Sequence, residues 1–486
     1  MTQEVGLHGF GAYVPWLRVD RNEMAETNAW VNSGLAKNSV SERSVAGWDE
    51  DVITMAVEAS RDALTGFARH AFTGIYLGST TAPFSDRLNS GVVAGALALN
   101  DRVAAQDTTG SQRAGTTALL AGLNAVAANG GYSICVASER RMSPAGSAQE
   151  LTAGHGAAAV LVGPGSGVAR LVAHASLTVD FVGSFRSSDR EFDYEWEERW
   201  VREQGFGELV PRLVNRLLNE ADIKPSTLTA FCLPCPLPRL DRAVAVRLGI
   251  PDASVRDNIS DGCGNTGAAH SMVMLVDALE QASAGDRILV VGFGQGGDAL
   301  LFEVTDAIRE YRQRATGLRK WLRRRTRCSY SRYLGLHGLI KMDRSIRSEV
   351  DKGTALSAEY RHHDLTLSLT GGRCDECGTY QIPRTRVCVK PECWAVDSQK
   401  PHSFAESAGH VVTWSCDRLT YSPDPPAYYG MIDFVGGGRL MMDFTDVGAS
   451  GIEIGNPVRM VFRVKDIDHV RGYRRYFWKA TPAATE

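Results

Sequence analysis

The sequence predicts an α/β protein built as a duplicated α-β-α-β-α sandwich, followed by a metal-binding knuckle and a small all-β barrel. Three observations carry this. Residues 51–305 alternate helical stretches with short apolar runs bounded by Gly, Asp and Asn, the pattern of stacked α and β layers. Two stretches within that region repeat the same order of parts. After residue 365 the texture changes to short alternating strands at close spacing. The 486 residues suit this plan, since about 150 residues per domain allows roughly three units and excludes a single small binding module.

The candidate strands of the sandwich are 74–79, 132–138, 157–162, 228–233, 287–293 and 299–304, and the candidate helices 51–64, 112–128, 207–221 and 266–284. The first repeat reads RAGTTALLAGLNAVAANGGYSICVAS and then GAAAVLVG; the second reads GNTGAAHSMVMLVDALEQASAGDRILVVGFG and then DALLFEVT. Each is a start of small residues, an almost wholly apolar helix, a Gly turn, a buried strand and a further strand. A helix apolar on all sides must be covered on all sides, so both belong between layers, where they meet. The halves are read as 1–165 and 166–305. Residues 309–327 carry nine Arg and Lys, and 306–364 reads as a basic, partly helical linker. The ribbon follows at 365–400 and the barrel at 401–486, from strand patterns such as HVVTWSCDRLTY, YYGMIDF and PVRMVFRV.

Composition narrows the function classes. Lys plus Arg at 53 against Asp plus Glu at 56 leaves a net charge of −3, which argues against nucleic acid. No basic stretch followed by an apolar run opens the chain, and no apolar run approaches about 18 residues, so the sequence predicts a cytoplasmic protein that does not span a membrane. Gly-rich 292–297 follows a strand but leads into another strand rather than a helix, which argues against a dinucleotide fingerprint. The ten cysteines are not spaced as a disulfide scaffold: four crowd between 374 and 393.

Those four form Cys374-x2-Cys377-x10-Cys388-x4-Cys393, with Gly378 and Pro391 beside the pairs. Two such turns bring four thiolates to the corners of a tetrahedron, and Zn2+ is the expected ion. Four thiolates fill the shell and leave no place for water, so the expected role is structural. Cys232-x2-Cys235 has no second pair and reads as core thiols, as does Cys263.

The stretches GLHGFGAYVPWLRVDRNEMA, TGIYLGSTT, SQRAGTTAL, GAAAVLVG, FRSSDREFDYEWEERW and DGCGNTGAAHSMVML together resemble the thiolase superfamily, nearest to 3-hydroxy-3-methylglutaryl-CoA synthase and ketoacyl synthase III, over about 4–305. Residues 345–480 are similar to the DUF35 family, a rubredoxin-like zinc ribbon plus OB-fold that in relatives is usually a separate chain bound to a thiolase. The resemblance implies a thiolase-like sandwich, an acyl-CoA substrate, and a nucleophilic Cys at the start of the buried helix, where helix-end amides stabilise a thiolate. It also implies a His and an Asn in the same pocket and, in the synthase branch, a Glu acting as general acid/base.

This sequence departs from that pattern. Gln112, preceded by Ser111, stands where the Cys belongs; the strand end 231–236 offers no His; Thr80 stands where the Glu belongs; Asn265 is kept. An amide cannot be acylated at a useful rate, and Ser111 has no base beside it in sequence. His155 and His270 read as packed or interface histidines.

Three readings follow. The first is an acyl-CoA-handling subunit of a thiolase-type complex for carbon–carbon bond formation or cleavage, its own site inert or auxiliary and its ribbon and barrel guiding CoA substrate. The second is a self-sufficient CoA-thioester lyase or decarboxylase using Gln112 and Asn265; the third is a synthase-like acyltransferase. The implied partners are acyl-CoA, a second copy pairing through about 132–138, and a Cys-containing thiolase. The arginines of 309–327 are read either as a solvated face or as partners for CoA phosphates or an acidic partner.

Overall fold

The structure, a computed structural model, describes residues 3–483 apart from 39, 196, 344–352 and 354. The chain forms two compact units. The first holds residues up to 334 except Trp48–Glu50 and Ala94–Leu99; these two stretches belong with the rest of the chain in the second. Part of the segment read as a linker, 344–352, and Trp196 of the quoted aromatic stretch lie outside the described residues.

The first unit is built on strands β1 (Val5–Tyr13), β2 (Phe72–Gly78), β3 (Ala104–Thr108), β4 (Tyr132–Arg140), β5 (His155–Pro164), β6 (Ala169–Thr178), β7 (Ala230–Cys232), β8 (Arg287–Phe293) and β9 (Gly296–Val304). Their order, β7-β8-β9-β6-β1-β5-β4-β2-β3, is two sheets joined at β1 and β6 by the single pair Gly6–Arg170. The halves repeat strand for strand. In the first, β2 lies parallel to β3 and β4, β4 antiparallel to β5, and β5 antiparallel to β1. In the second, β7 lies parallel to β8, β8 antiparallel to β9, and β9 antiparallel to β6. The counterpart of β3 is reduced to one parallel bridge, Phe231–Val255.

The helices that matter are α1 (Val52–Ala63), α2 (Ala114–Asn129), α3 (Val210–Glu220) and α5 (His270–Gln281), with α4 (Leu240–Leu248) beside α3. Asp51 caps α1 by accepting from the N–H groups of Ile53 and Thr54, while Thr54 Oγ1 accepts from the Asp51 N–H. α1 covers β1, β5 and β4 on one outer face, and α3 covers β6 and β9 on the other. α2 and α5 contact strands of both halves and form the middle layer. They meet where Gly115 of α2 lies directly against the Ala268 carbonyl, just before α5, at a separation that leaves no room for a Cβ. The small residues at both helix starts are therefore a packing requirement.

The strand expected to carry the dimer contact, about 132–138, is interior: β4 is paired on both sides, with β2 and β5. The sheet ends instead at β3, which is bonded on one side only and partly exposed. An apolar run of this length marks burial, and burial here comes from a neighbour on each flank. Of the segment read as a linker, residues 306–334 pack into the first unit through Ile308, Tyr311, Leu318, Trp321, Tyr330 and Tyr333. Its arginines are engaged within the fold, Arg319 with Asp277, Arg325 with Glu42 and Arg327 with Glu23, and Arg324 lies over the rings of Trp16 and Trp321.

The second unit contains a three-stranded ribbon, β10 (Thr370–Cys374), β11 (Tyr380–Gln381) and β12 (Gln399–Ser403), ordered β11-β10-β12. A closed five-stranded barrel follows: β13 (Gly409–Asp417), β14 (Ala427–Phe434), β15 (Arg439–Phe444), β16 (Pro457–Asp468) and β17 (Tyr473–Pro482), ordered β13-β14-β15-β17-β16. Trp478, Phe462, Met460, Ile432 and Val411 fill its interior. Closure leaves no open edge.

Candidate functional site

Residues Ser111, Gln112 and Arg113 form the turn that opens α2. Arg113 fixes this turn to the second half: its guanidinium donates to the carbonyls of Leu177 (2.9 Å) and Gly297 (3.1 Å) and pairs with buried Asp298 at 3.3 Å. Asp298 also accepts from Thr116 (3.2 Å), Thr117 (2.7 Å) and Ser176 (2.7 Å). Ser111 Oγ donates to the Gly294 carbonyl at 2.6 Å and accepts from the Arg113 N–H at 3.3 Å. Neither partner is a base, so the hydroxyl is held for structure.

Gln112 lies half-buried, and its Oε1 is buried with no hydrogen-bond partner among the described residues. An unmade bond at a buried acceptor costs about 1–3 kcal/mol, which marks the position as one waiting for a donor. Gly267, at φ +54°, faces the same point: a Cβ there would stand 3.1 Å from Gln112 Oε1, 3.0 Å from Glu139 Cγ and 2.7 Å from Arg141 Cδ. Asn265, two residues earlier, accepts from the Gly267 N–H through Oδ1 at 2.8 Å, which leaves its Nδ2 as the donor end. His270 holds this loop, its Nδ1 accepting from the Thr266 N–H at 3.1 Å while Nε2 bonds the Asn258 carbonyl at 2.7 Å. Burial pushes its pKa down to about 4, so it is neutral. His155 is likewise neutral and fully buried, accepting from the Ala46 N–H at 2.8 Å and bonding the Arg141 carbonyl at 3.0 Å. Both are packed histidines, as the sequence implied.

Thr80, on the loop after β2, meets a residue that the sequence reading missed. Glu139, near the end of β4, is fully buried, and its Oε2 accepts from the Thr80 N–H at 3.0 Å and from Thr80 Oγ1 at 3.2 Å. Its Oε1 accepts from Thr81 Oγ1. Burial raises the Glu139 pKa, and the Thr81 hydroxyl, the Thr80 amide and Arg141 pull against that rise. Arg141 is itself bound by Asp193 at 3.0 Å, and Asp193 by Arg186 at 2.7 Å; Arg186 also donates to the Thr80 carbonyl. The available signal was a carboxylate closing an otherwise apolar strand, in VASER.

The cysteines near the expected pocket are poor nucleophiles. Cys232 is fully buried, donates to the Met274 carbonyl at 3.6 Å, and burial pushes its thiol up to about 12. Cys235 donates to the Leu237 carbonyl at 3.3 Å and is also pushed up to about 12 by burial. Cys263 is fully buried, with its pKa raised for the same reason.

In the second unit, the sulfurs of Cys374, Cys377, Cys388 and Cys393 all lie within 4.8 Å of one another. Cys374 and Cys393 approach to 3.8 Å, and Cys377 and Cys388 to 3.5 Å. Metal–sulfur bonds of about 2.3 Å in a tetrahedron place sulfurs about 3.8 Å apart, so the donor set fits a Zn2+ ion. Each pair sits on a tight turn, closed by Gly378 N–H to the Cys374 carbonyl and by Cys393 N–H to the Lys390 carbonyl. Among the described residues, no helix is long and apolar enough to cross a membrane.

Comparison with known proteins places both units. Residues 218–301 match the family described as 3-oxoacyl-[acyl-carrier-protein] synthase III C terminal, and residues 404–463 match the ChsH2 C-terminal OB-fold domain. The chain is 30% identical over 340 residues to a hydroxymethylglutaryl-CoA synthase of Aeropyrum pernix, covering 68% of this chain and 94% of the relative. It is 31% identical over 350 residues to that of Caldivirga maquilingensis, covering 70% of this chain and 99% of the relative. Among solved structures, an HMG-CoA synthase complexed with CoA superposes with a TM-score of 0.60 at 19% identity, over 68% of this chain and 89% of that one. A 3-oxoacyl-(acyl carrier protein) synthase III from Pseudomonas aeruginosa gives 0.54 at 21% identity, over 62% of this chain and 98% of that one.

Proposed function

Since the chain belongs to the hydroxymethylglutaryl-CoA synthase family, with its thiolase-like fold, we propose that it is an acyl-CoA-handling subunit of a thiolase-type complex for carbon–carbon bond formation or cleavage. The observation that carries this is the start of α2. The turn that opens α2 presents Gln112, while Cys232 and Cys263 are buried and held neutral by that burial. A thiolate nucleophile needs an electropositive, accessible setting, and none of these thiols has one. Covalent acyl transfer is therefore assigned to a Cys on a partner, and this pocket holds a thioester without bonding to it. Asn265, whose Oδ1 is taken by the Gly267 N–H, is assigned the hydrogen bond to the thioester oxygen through Nδ2. The open edge at β3 is where a second thiolase-type chain would add to the sheet.

The ribbon-and-barrel unit is assigned the recruitment of CoA substrate. One Zn2+, held by Cys374, Cys377, Cys388 and Cys393, would close the ribbon and supply no catalytic position, because four thiolates complete its shell.

A labelled acetyl-CoA incubation tests the central claim. The purified chain should remain unlabelled after denaturation, while a co-purified Cys-bearing thiolase takes up label. Stable label on Ser111 or on any Cys of this chain would overturn it and restore the acyltransferase reading. Glu139 favours a second reading, a non-covalent lyase or decarboxylase, because a buried carboxylate beside Thr80 and Gln112 is acid/base equipment that an inert pocket does not need.

A further inference from the structure

We propose that Thr80 and Glu139 form a proton-transfer pair in this pocket, with the Thr80 hydroxyl as the group that meets the bound acyl chain and Glu139 as the positioning carboxylate behind it. This rests on the reading that the pocket holds an acyl-CoA thioester.

Four observations carry it. Glu139 is wholly buried, yet among the described residues it has no ion pair of its own: Arg141, the cation whose charge acts on it, is bound at 3.0 Å by Asp193. Its three hydrogen bonds come from two adjacent threonines, two of them from the amide and hydroxyl of Thr80. Thr80 itself is only half-buried, so the pair runs from a closed interior to an open face. Finally, the orphaned Gln112 Oε1 and the Glu139 stem, together with Arg141 Cδ, pack around Gly267, all within 3.1 Å of where a Cβ would stand, so Gln112 and Glu139 meet at one point of the fold. A structural carboxylate would be expected at a helix N-terminus or in a full ion pair; this one ends at the hydroxyls of Thr80 and Thr81.

The step is an enolisation. Thr80 Oγ takes a proton from the carbon next to the thioester carbonyl as its own proton passes to Glu139 Oε2. The C–H electron pair moves into the carbon–carbon bond of an enolate, whose oxygen carries the charge and receives a hydrogen bond from Asn265 Nδ2. The carboxylate becomes a neutral acid, so charge is conserved, and the reverse step returns the proton. Glu139 is faced by Arg141, Asp193, Thr80 and Thr81; Arg186 and His155 lie one bond further out, on Asp193 and on the Arg141 carbonyl. Burial moves the Glu139 carboxyl upward, against the pull of the Thr81 hydroxyl, the Thr80 amide and Arg141.

The test is deuterium uptake at the α-carbon of acetyl-CoA in D2O, read by mass spectrometry on the full chain, alongside acetyl-CoA binding by calorimetry. The wild type should bind and exchange. Glu139→Gln and Thr80→Val should keep binding within about 3-fold and lose exchange by at least about 100-fold, whereas Thr80→Ser should retain it. Placing the carboxylate directly at the open face, as Thr80→Glu in the Glu139→Gln background, should restore exchange. Binding without exchange in the wild type, or exchange at wild-type rate in both Glu139→Gln and Thr80→Val, overturns the pair while leaving the thioester reading intact. Absence of binding overturns that reading itself.

Discussion

Gln112 and Glu139 carry the proposed reading of this site. At a helix start, a thiol would be drawn toward its thiolate by the amides around it; an amide side chain in the same place can only give or accept hydrogen bonds. Gln112 is visible in the sequence because it lies on the same chain stretch as the motif AGTTA. Glu139 is not visible, because its meaning depends on Thr80, 59 residues away, meeting it across parallel strands. A second buried carboxylate behaves differently. Asp62 accepts from the backbone N–H groups of Ala12 (3.2 Å), Thr316 (2.8 Å) and Gly317 (3.0 Å), and burial raises its pKa to about 6. Because the folded value lies above the unfolded one, its contribution to stability is fully present below about pH 4 and is lost as the pH rises through about 6. Thermal melts of the wild type and Asp62→Asn should therefore differ in slope across that window, with the variant flatter; equal slopes would show that Asp62 is not perturbed.

At the level of elements, the two apolar helices decide the architecture. Helices without a polar face have to lie in the middle layer, and their Gly and Ala starts let them approach backbone to backbone. Gly115 is the tightest such contact: a methyl there would meet the Ala268 carbonyl and stand 2.9 Å from Ala137 Cβ. Gly115→Ala should cost about 2 kcal/mol in denaturant unfolding, with no change at the surface. The strands are legible to within a few residues where they are mostly apolar, as at Arg287–Phe293. β1, β3 and β6 were not read from pattern. β3, AAQDT, is a partly exposed edge strand of small and polar residues and carries no strand period. The same local pattern could not say which strand is the edge, because edge and interior differ in what lies beside them.

The whole molecule combines a large sandwich with a small ribbon and barrel. The ribbon has three short strands and little apolar interior of its own, so a metal held by its four sulfurs would supply much of its folding free energy. Metal analysis should find about one Zn per chain, falling to none in Cys374→Ser/Cys377→Ser. Calorimetry with a strong chelator should move the transition of the second unit and leave that of the first in place. A metal-free chain of equal stability would exclude the centre.

The sequence by itself determined the duplicated sandwich, the cysteine quartet and the presence of Gln112 ahead of AGTTA. Each is written in local spacing: helical apolarity, two paired turns and a motif with one residue exchanged. Tertiary structure alone decided that β4 is interior and β3 the edge, that residues 306–334 pack as part of the first unit, and that Glu139 stands behind Thr80. These are facts of which distant segments become neighbours, and a side chain's hydrogen-bond partner and protonation are set by its neighbours in space.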